Sequence, residues 1–211
     1  MLEGGIPVGA ISEITGPDSS GRTSLAFAFV AQRIESEQVC AWVDVSDSFD
    51  PESAAACGVH LQRLLWVRCG NEGNGSPGKP FWARMDQALR VTDLLLQTGG
   101  FGAIVLDLGG ISPELGCKVP LATWFRWRQA ADRTRCSLLV LGKMPYAQSS
   151  AALVIECASS IAVSIGKSAL KMFEFQATRR RERMAPVLPG MRKPPVAAWS
   201  AVTGWDAEKR A

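Results

Sequence analysis

The sequence lacks the residues and runs that indicate a metal centre, a membrane span or a secretory signal. His60 is the one histidine, and none of the six cysteines stands in a C-x-x-C spacing, so a zinc site is not predicted. No apolar run approaches the ~18 residues that a membrane-spanning helix needs. Residues 1–9 have no basic start followed by a long apolar stretch. We therefore expect a cytoplasmic protein with no membrane partner and with cysteines buried as small hydrophobes.

Neither sign of charge is in large excess, because the net charge is only +3 over 211 residues. The total therefore does not indicate a nucleic-acid partner, but the distribution is uneven. Positive residues gather in the C-terminal fifth, as a run at Arg179, Arg180, Arg181 and Arg183 followed by Arg192 and Lys193. We interpret the run either as a basic patch that contacts DNA phosphate or a neighbouring subunit's nucleotide, or as a solvated hairpin tip.

Short apolar runs alternate with segments of helical periodicity. The runs predict strands at Ala10–Thr15, Val39–Val45, Leu64–Cys69, Ala103–Leu108 and Ser137–Leu141. Helices are predicted at Thr23–Ile34, near Pro51–Cys57, and at Phe81–Gln97 and Leu121–Arg133, with a glycine- and proline-rich loop at Gly70–Pro80. Strands that are apolar throughout belong to parallel sheets covered on both faces, so the fold class is a doubly wound α/β domain.

The C-terminal part shows a different pattern. Ser160–Ile165 and Met172–Ala177 are predicted strands with no long helix between them, which favours an antiparallel edge. Four prolines follow between Met184 and Trp205, where we expect irregular structure closing with a strand around Ala197–Val202. We predict one domain over 1–211, with a core at about 1–165 and a strand hairpin and proline-rich tail at about 166–211.

The main chemical signal is Gly16–Thr23, which reads G-P-D-S-S-G-R-T. It matches the phosphate-binding pattern G-x-x-x-x-G-K-[ST] except that arginine replaces lysine. Glycines let the backbone amides curl around an anion, and the following helix adds its positive N-terminus. We predict nucleotide contacts from Gly16, Asp18, Ser19, Ser20, Gly21, Arg22, Thr23 and Ser24. The alternative is a vestigial loop that keeps this shape without binding nucleotide.

Two residues are candidate Mg²⁺ ligands. Thr23 offers a hydroxyl at the end of the loop, and Asp107 follows an apolar strand, where such folds hold the metal's coordination shell. The side chain of Arg22 ends in a wide, planar guanidinium, whereas the lysine of the pattern ends in a compact ammonium on a flexible chain. We therefore expect ATP and Mg²⁺ to bind weakly rather than not at all.

The chain that carries this loop resembles the bacterial RecA recombinase core. The resemblance is tight over Leu2–Leu25, continues through Cys40–Pro51 and Gly58–Leu65, and is weaker to about residue 203. It implies a RecA-like P-loop NTPase core. The catalytic glutamate of that family falls on Ser46, which cannot act as a base at neutral pH. Asp47 substitutes for it only if the backbone shifts, so we expect no efficient ATP hydrolysis and assign no certain catalytic residue.

The resemblance also locates the family's two DNA-binding loops, at about Gly109–Pro120 and Lys143–Ser150, and both are short here. The glutamine that couples nucleotide state to the second loop falls near Lys143. The family's polymerisation segment is expected to be missing before Met1. We therefore do not expect this chain alone to exchange DNA strands, although self-association stays open.

A short RecA-like chain with an eroded ATP site resembles the ImuA accessory proteins of SOS mutagenesis. That resemblance implies a role in DNA repair and translesion synthesis, single-stranded DNA binding, and an ImuB-like or polymerase partner. Two alternatives remain: an active DNA-dependent ATPase or recombinase, and a non-enzymatic SulA-like inhibitor of cell division. Candidate DNA or partner contacts are Arg126, Arg128, Lys143, Arg179, Arg180, Arg181 and Arg183.

Arg126 and Arg128 alternate with Trp124 and Trp127 in T-W-F-R-W-R. Aromatic and basic residues that alternate in this way are typical of single-strand contacts, since bases stack on aromatic rings. The alternative is that these tryptophans pack in the core.

Overall fold

A computed structural model describes the chain over residues 5–70, 81–158, 161–165, 169–182 and 196–202. Within these ranges nine strands form one sheet. The strands are β1 Ile11–Thr15, β2 Val39–Asp44, β3 Leu64–Arg68, β4 Phe101–Asp107, β5 Ser137–Gly142, β6 Ala151–Cys157, β7 Ile161–Ile165, β8 Ala169–Glu182 and β9 Val196–Val202.

The helices lie mainly between the first five strands. They are α1 Arg22–Glu35, α2 Pro51–Ala56, α3 Phe81–Thr98, α4 Pro113–Gly116 and α5 Leu121–Thr134, with 3₁₀ turns at Leu61–Arg63 and Gln148–Ser150. α2 begins where the Asp50 carboxylate accepts the Glu52 and Ser53 amides, and Pro51 occupies its first position. None of the helices in the described ranges is both long and apolar enough to cross a bilayer.

The strand order is β3-β2-β4-β5-β1-β6-β8-β7, and β9 also pairs with β8. The first six strands of this order are parallel to one another. β8 is antiparallel to β6, β7 and β9. The predicted fold class is confirmed: a doubly wound, mostly parallel sheet with a C-terminal antiparallel edge.

Both faces of the central strands β1, β2, β4 and β5 are buried, and successive residues of β2 show why its sequence is apolar throughout. Trp42 belongs to one core, with its ring 5.0 Å from Phe27 on α1 and 5.2 Å from Phe49. Ala41 and Val43 belong to the other core, which α3 and α5 cover. Each large side chain buried in this way contributes roughly 1.5–3 kcal/mol.

The strand β6 was not predicted, because the connection that joins it to β5 lacks the helix that usually separates parallel strands. Parallel strands are usually joined by a helix, but residues 143–150 contain only a single 3₁₀ turn. This connection crosses β1, where the buried Glu13 carboxylate accepts the amides of Tyr146 (2.6 Å) and Ala147 (2.9 Å). Burial raises the pKa of Glu13, while these two amides oppose the rise. A buried carboxylate therefore takes over backbone hydrogen bonding that a crossover helix would have satisfied.

The structure decides between the alternatives left open for the arginine run and the tryptophans. Arg179, Arg180 and Arg181 lie within β8, and Arg179 and Arg181 pair with β6, so these three residues do not form a hairpin tip. Trp124 and Trp127 are fully buried and pack edge to face at 5.2 Å, so they belong to the core and do not stack on bases. Most of the predicted loop at Gly70–Pro80, Arg183 and most of the proline-rich tail lie outside the described residues.

Candidate functional site

The loop after β1 is tightly curled, and Gly16 shows how tightly. Its φ is 152°, and a Cβ there would lie 2.4 Å from the Cys157 carbonyl oxygen and 2.8 Å from Ser20 Oγ. Real Cβ atoms do not approach backbone so closely, so only glycine fits. The Gly16 amide donates to the carbonyl of Gly142 (3.2 Å), which joins the loop to the ends of β5 and β6.

The curl leads directly into α1, which follows Gly21 without a side-chain cap. The first-turn amides of any helix lack intrahelical acceptors and carry partial positive charge. Ser20 is buried, and its Oγ has no hydrogen-bond partner among the residues that the structure describes. Asp18, Ser19 and Thr23 are exposed around it. The loop therefore combines a buried, unpaired hydroxyl and free helix amides with exposed residues beside them, which are features of anion-binding helix N-termini in general.

Arg22 occupies the place of the lysine in the phosphate-loop pattern, and its side chain is nine-tenths buried. Nη2 donates to Asp18 Oδ1 at 3.2 Å, whereas Nη1 is buried with no hydrogen-bond partner in the described part of the chain. Both nitrogens lie 3.6 Å from the point where a Cβ on Gly109 would be. The guanidinium therefore spans from the loop to the end of β4.

Lys143 reaches the same loop from the end of β5. Its Nζ lies 3.0 Å from Asp18 Oδ2, and this hydrogen bond is the main reason that the pKa of Asp18 is lowered. Lys143 was predicted as a DNA or partner contact. The structure places it at the mouth of the phosphate loop, where one exposed carboxylate lies between two cations.

Asp107, the predicted Mg²⁺ ligand, ends β4 and is buried. Its Oδ1 accepts the Gly109 amide at 2.8 Å. Burial raises the pKa of Asp107 to about 6; Asp44 adds to the rise, while the Gly109 amide and Arg22 oppose it. The carboxylate lies at the carboxyl edge of the sheet beside the curl, because the ends of parallel strands meet at one edge.

The family resemblance places a catalytic base in the loop after β2, where both carboxylates are already engaged and Ser46 Oγ is buried with no hydrogen-bond partner among the described residues. Asp44 accepts amides from Ser46, Ser48 and Phe49 at 2.9–3.2 Å, which fixes the loop. Ser46 Oγ faces Gly110, where a Cβ would lie 2.4 Å from it.

Asp47 has a left-handed backbone and forms a bidentate ion pair with Arg68 at 2.7 and 2.8 Å. Arg68 lowers the pKa of Asp47, which makes that carboxylate a weak base.

The remaining basic candidates lie away from the phosphate loop. Arg126 pairs with Asp93 at 2.9 Å on the outer side of α5. Arg128 lines a surface pocket with the residues just before β1 and the first residues of β6, at the amino edge of the sheet. On β8, Arg180 pairs with Glu156 and Arg181 donates to the Gln148 carbonyl. The structure therefore brings Lys143 to the loop but does not bring these arginines there.

Comparison with known proteins gives consistent results. The sequence model described as RecA N-terminal domain matches residues 2–115. Protein RecA of Deinococcus radiodurans is 38% identical over 104 residues, which is 49% of this chain and 25% of the relative. Protein RecA of Rhizobium rhizogenes is 38% identical over 124 residues, or 56% of this chain and 31% of the relative. The aligned parts are thus about a quarter to a third of these curated relatives.

One solved structure resembles nearly the whole fold. The crystal structure of the RadB recombinase superposes with a TM-score of 0.61, at 17% sequence identity. The match covers 93% of this chain and 89% of the RadB chain. At this identity the likeness concerns the fold alone.

Proposed function

We propose that this chain, which belongs to the RecA family through its N-terminal domain, is a nucleotide-binding protein of DNA repair with impaired ATP hydrolysis. The observation that carries the proposal is the curl at Gly16, beside which Ser20 Oγ and Arg22 Nη1 are buried with no hydrogen-bond partner among the described residues. A buried donor without a partner costs about 1–3 kcal/mol, and a bound phosphate oxygen would remove that cost.

A nucleotide would be held through its phosphates. Ser20 Oγ, Arg22 Nη1 and the first amides of α1 are the groups available to contact phosphate oxygens, and Lys143 adds charge at the mouth. When bound, ATP supplies a triphosphate whose terminal phosphoryl group can be transferred to water. These donors account for binding and orientation of that triphosphate.

Hydrolysis requires a base that orients and activates water, and no carboxylate of the β2 loop is free to act as that base. Ser46 replaces the carboxylate that the family carries at this position. Asp47 is held by Arg68 with a lowered pKa. We therefore infer that the protein uses nucleotide binding and not turnover.

We propose further that this nucleotide-binding protein has an accessory role in DNA repair like that of the ImuA proteins. It rests on the combination of a retained phosphate loop with a β2 loop that lacks the base, together with the basic residues on α5 and β8. It implies single-stranded DNA or a polymerase accessory protein as partner. Phosphate contacts weaken steeply with salt, so DNA binding should be strongest at low ionic strength.

Thermal unfolding with ATP tests the binding step, and adenosine is the matched control because it lacks phosphates. A ligand at about 100 times its Kd stabilises the folded state by about 2.7 kcal/mol. We expect stabilisation by ATP and none by adenosine. Equal effects, or none from either, would contradict the phosphate site.

Single-turnover hydrolysis with and without single-stranded DNA tests the second part. We expect background rates in both. DNA-stimulated hydrolysis would instead support an active ATPase or recombinase. Failure to bind single-stranded DNA or a polymerase accessory protein at low salt would remove the repair role, and nucleotide-independent binding to the division GTPase would favour the SulA-like alternative.

A further inference from the structure

We propose that Arg22 takes the place of Mg²⁺ in this site, so that the loop binds nucleotide di- and triphosphates without a divalent metal. The inference rests on the proposed nucleotide site and states its ligand class more narrowly: a metal-free polyphosphate. Its basis is where the guanidinium lies, between the phosphate loop and the end of β4.

The position of Arg22 is defined by contacts on two sides. On the loop side, Nη2 donates to Asp18 Oδ1 at 3.2 Å. On the β4 side, the point that a Cβ on Gly109 would occupy is 3.6 Å from both Nη atoms and 3.0 Å from Asp107 Oδ1. The guanidinium is thus a near neighbour of the carboxylate that was predicted to hold the metal.

The residues present do not fit Mg²⁺. A divalent cation near Asp107 would meet the positive charge of Arg22, and because both side chains are buried, solvent screens that repulsion only weakly. Asp107 is already engaged, since Oδ1 accepts the Gly109 amide.

The same guanidinium suits a phosphate directly. Its planar fork can donate to two phosphate oxygens at once, which a lysine ammonium does not match. One arm, Nη1, is buried and unpaired among the described residues, and Ser20 Oγ is a second unpaired buried group in the same loop. Asp18, whose side chain is 71% exposed, holds the other arm and is free to turn outward when a phosphate takes its place.

The test is ATP binding by titration calorimetry in excess Mg²⁺ and in EDTA. For the wild-type protein we expect dissociation constants within about twofold of each other in the two conditions, because the arginine provides the charge. For Arg22→Lys we expect binding in EDTA to be at least about tenfold weaker than in Mg²⁺, a difference near 1.4 kcal/mol.

Arg33→Lys is the matched control, the same change on the same helix. Arg33 faces the Gly102 carbonyl at 3.5 Å, away from the loop, and its variant should behave as wild type. Wild-type binding that requires Mg²⁺ would overturn this inference and leave the nucleotide site intact. No ATP binding in either condition would overturn the nucleotide site itself. The wild-type comparison decides even where Arg22→Lys does not fold.

Discussion

Two loops at the carboxyl edge of the sheet, those after β1 and β2, differ in how their polar groups are used. The loop after β1 keeps a glycine curl and leaves Ser20 Oγ and Arg22 Nη1 unpaired among the described residues. The loop after β2 uses its carboxylates internally, with Asp44 bonded to backbone amides and Asp47 to Arg68. Unpaired buried donors suit an anion, as the proposed nucleotide site requires, whereas the carboxylates of the β2 loop already have partners.

The largest effect should come from filling the curl. Gly16→Ala places a Cβ 2.4 Å from the Cys157 carbonyl at a positive φ, so we expect about 3 kcal/mol or more of lost stability and loss of stabilisation by ATP. Gly100→Ala is the control, since its φ of 86° is also positive but nothing lies within 4 Å of the added atom. It should cost only about 1 kcal/mol in urea unfolding. Equal losses would mean that the curl is not sterically closed.

Asp107→Asn tests whether ionisation of the buried Asp107 carboxyl lowers the stability of the folded protein as pH rises. The pKa of Asp107 in the folded protein is about 6, above the ordinary 3.8, so the folded state holds this proton more tightly than the unfolded chain. Ionisation therefore costs stability as pH rises from about 4 to above 6, by at most about 3 kcal/mol. We expect the variant to be more stable than wild type at pH 8 and equal to it below about pH 4. A less stable variant at pH 8 would show that the ionised acid is needed structurally.

Asp18→Asn should change ligand affinity more than stability. The exposed carboxylate occupies both Arg22 and Lys143, so its neutralisation should tighten ATP binding by about three- to tenfold, measured by calorimetry. Asp86→Asn is the control, because it removes an exposed carboxylate paired to Arg90 on α3. Unchanged affinity in Asp18→Asn would mean that the two cations do not face the ligand.

The smallest effect is expected in the β2 loop. Arg68→Ala releases Asp47 from its exposed ion pair and should cost about 1 kcal/mol or less in urea unfolding. ATP hydrolysis should stay at background, because the freed carboxylate still follows a backbone fixed by Asp44. A rise in single-turnover hydrolysis would instead identify Asp47 as a latent base.

The parallel core was predictable because strands buried on both faces are continuously apolar and are separated by helical periodicity. The prediction failed at Ala151–Cys157, which follows a connection without a helix. That short route depends on Glu13 receiving the amides of Tyr146 and Ala147, a contact between residues more than 130 positions apart. No local pattern reports such a contact.

The candidate site was also only partly visible. Spacing alone located the loop at Gly16–Thr23 and the acid at Asp107. It did not show that Lys143 reaches Asp18, because that contact arises from β5 lying beside β1. It likewise left open whether Trp124 and Trp127 pack in the core or stack on bases, since helical spacing does not tell which face of α5 meets the sheet.

The amino-acid sequence by itself determined the fold class, the family and the position of the glycine loop at Gly16–Thr23, because these depend on local periodicity and on residues adjacent in the chain. Tertiary structure alone decided where the charges lie. The burial of Arg22 beside Asp107 and the pairing of Asp47 with Arg68 depend on which strand ends are neighbours, and strand order is set by packing across the whole sheet.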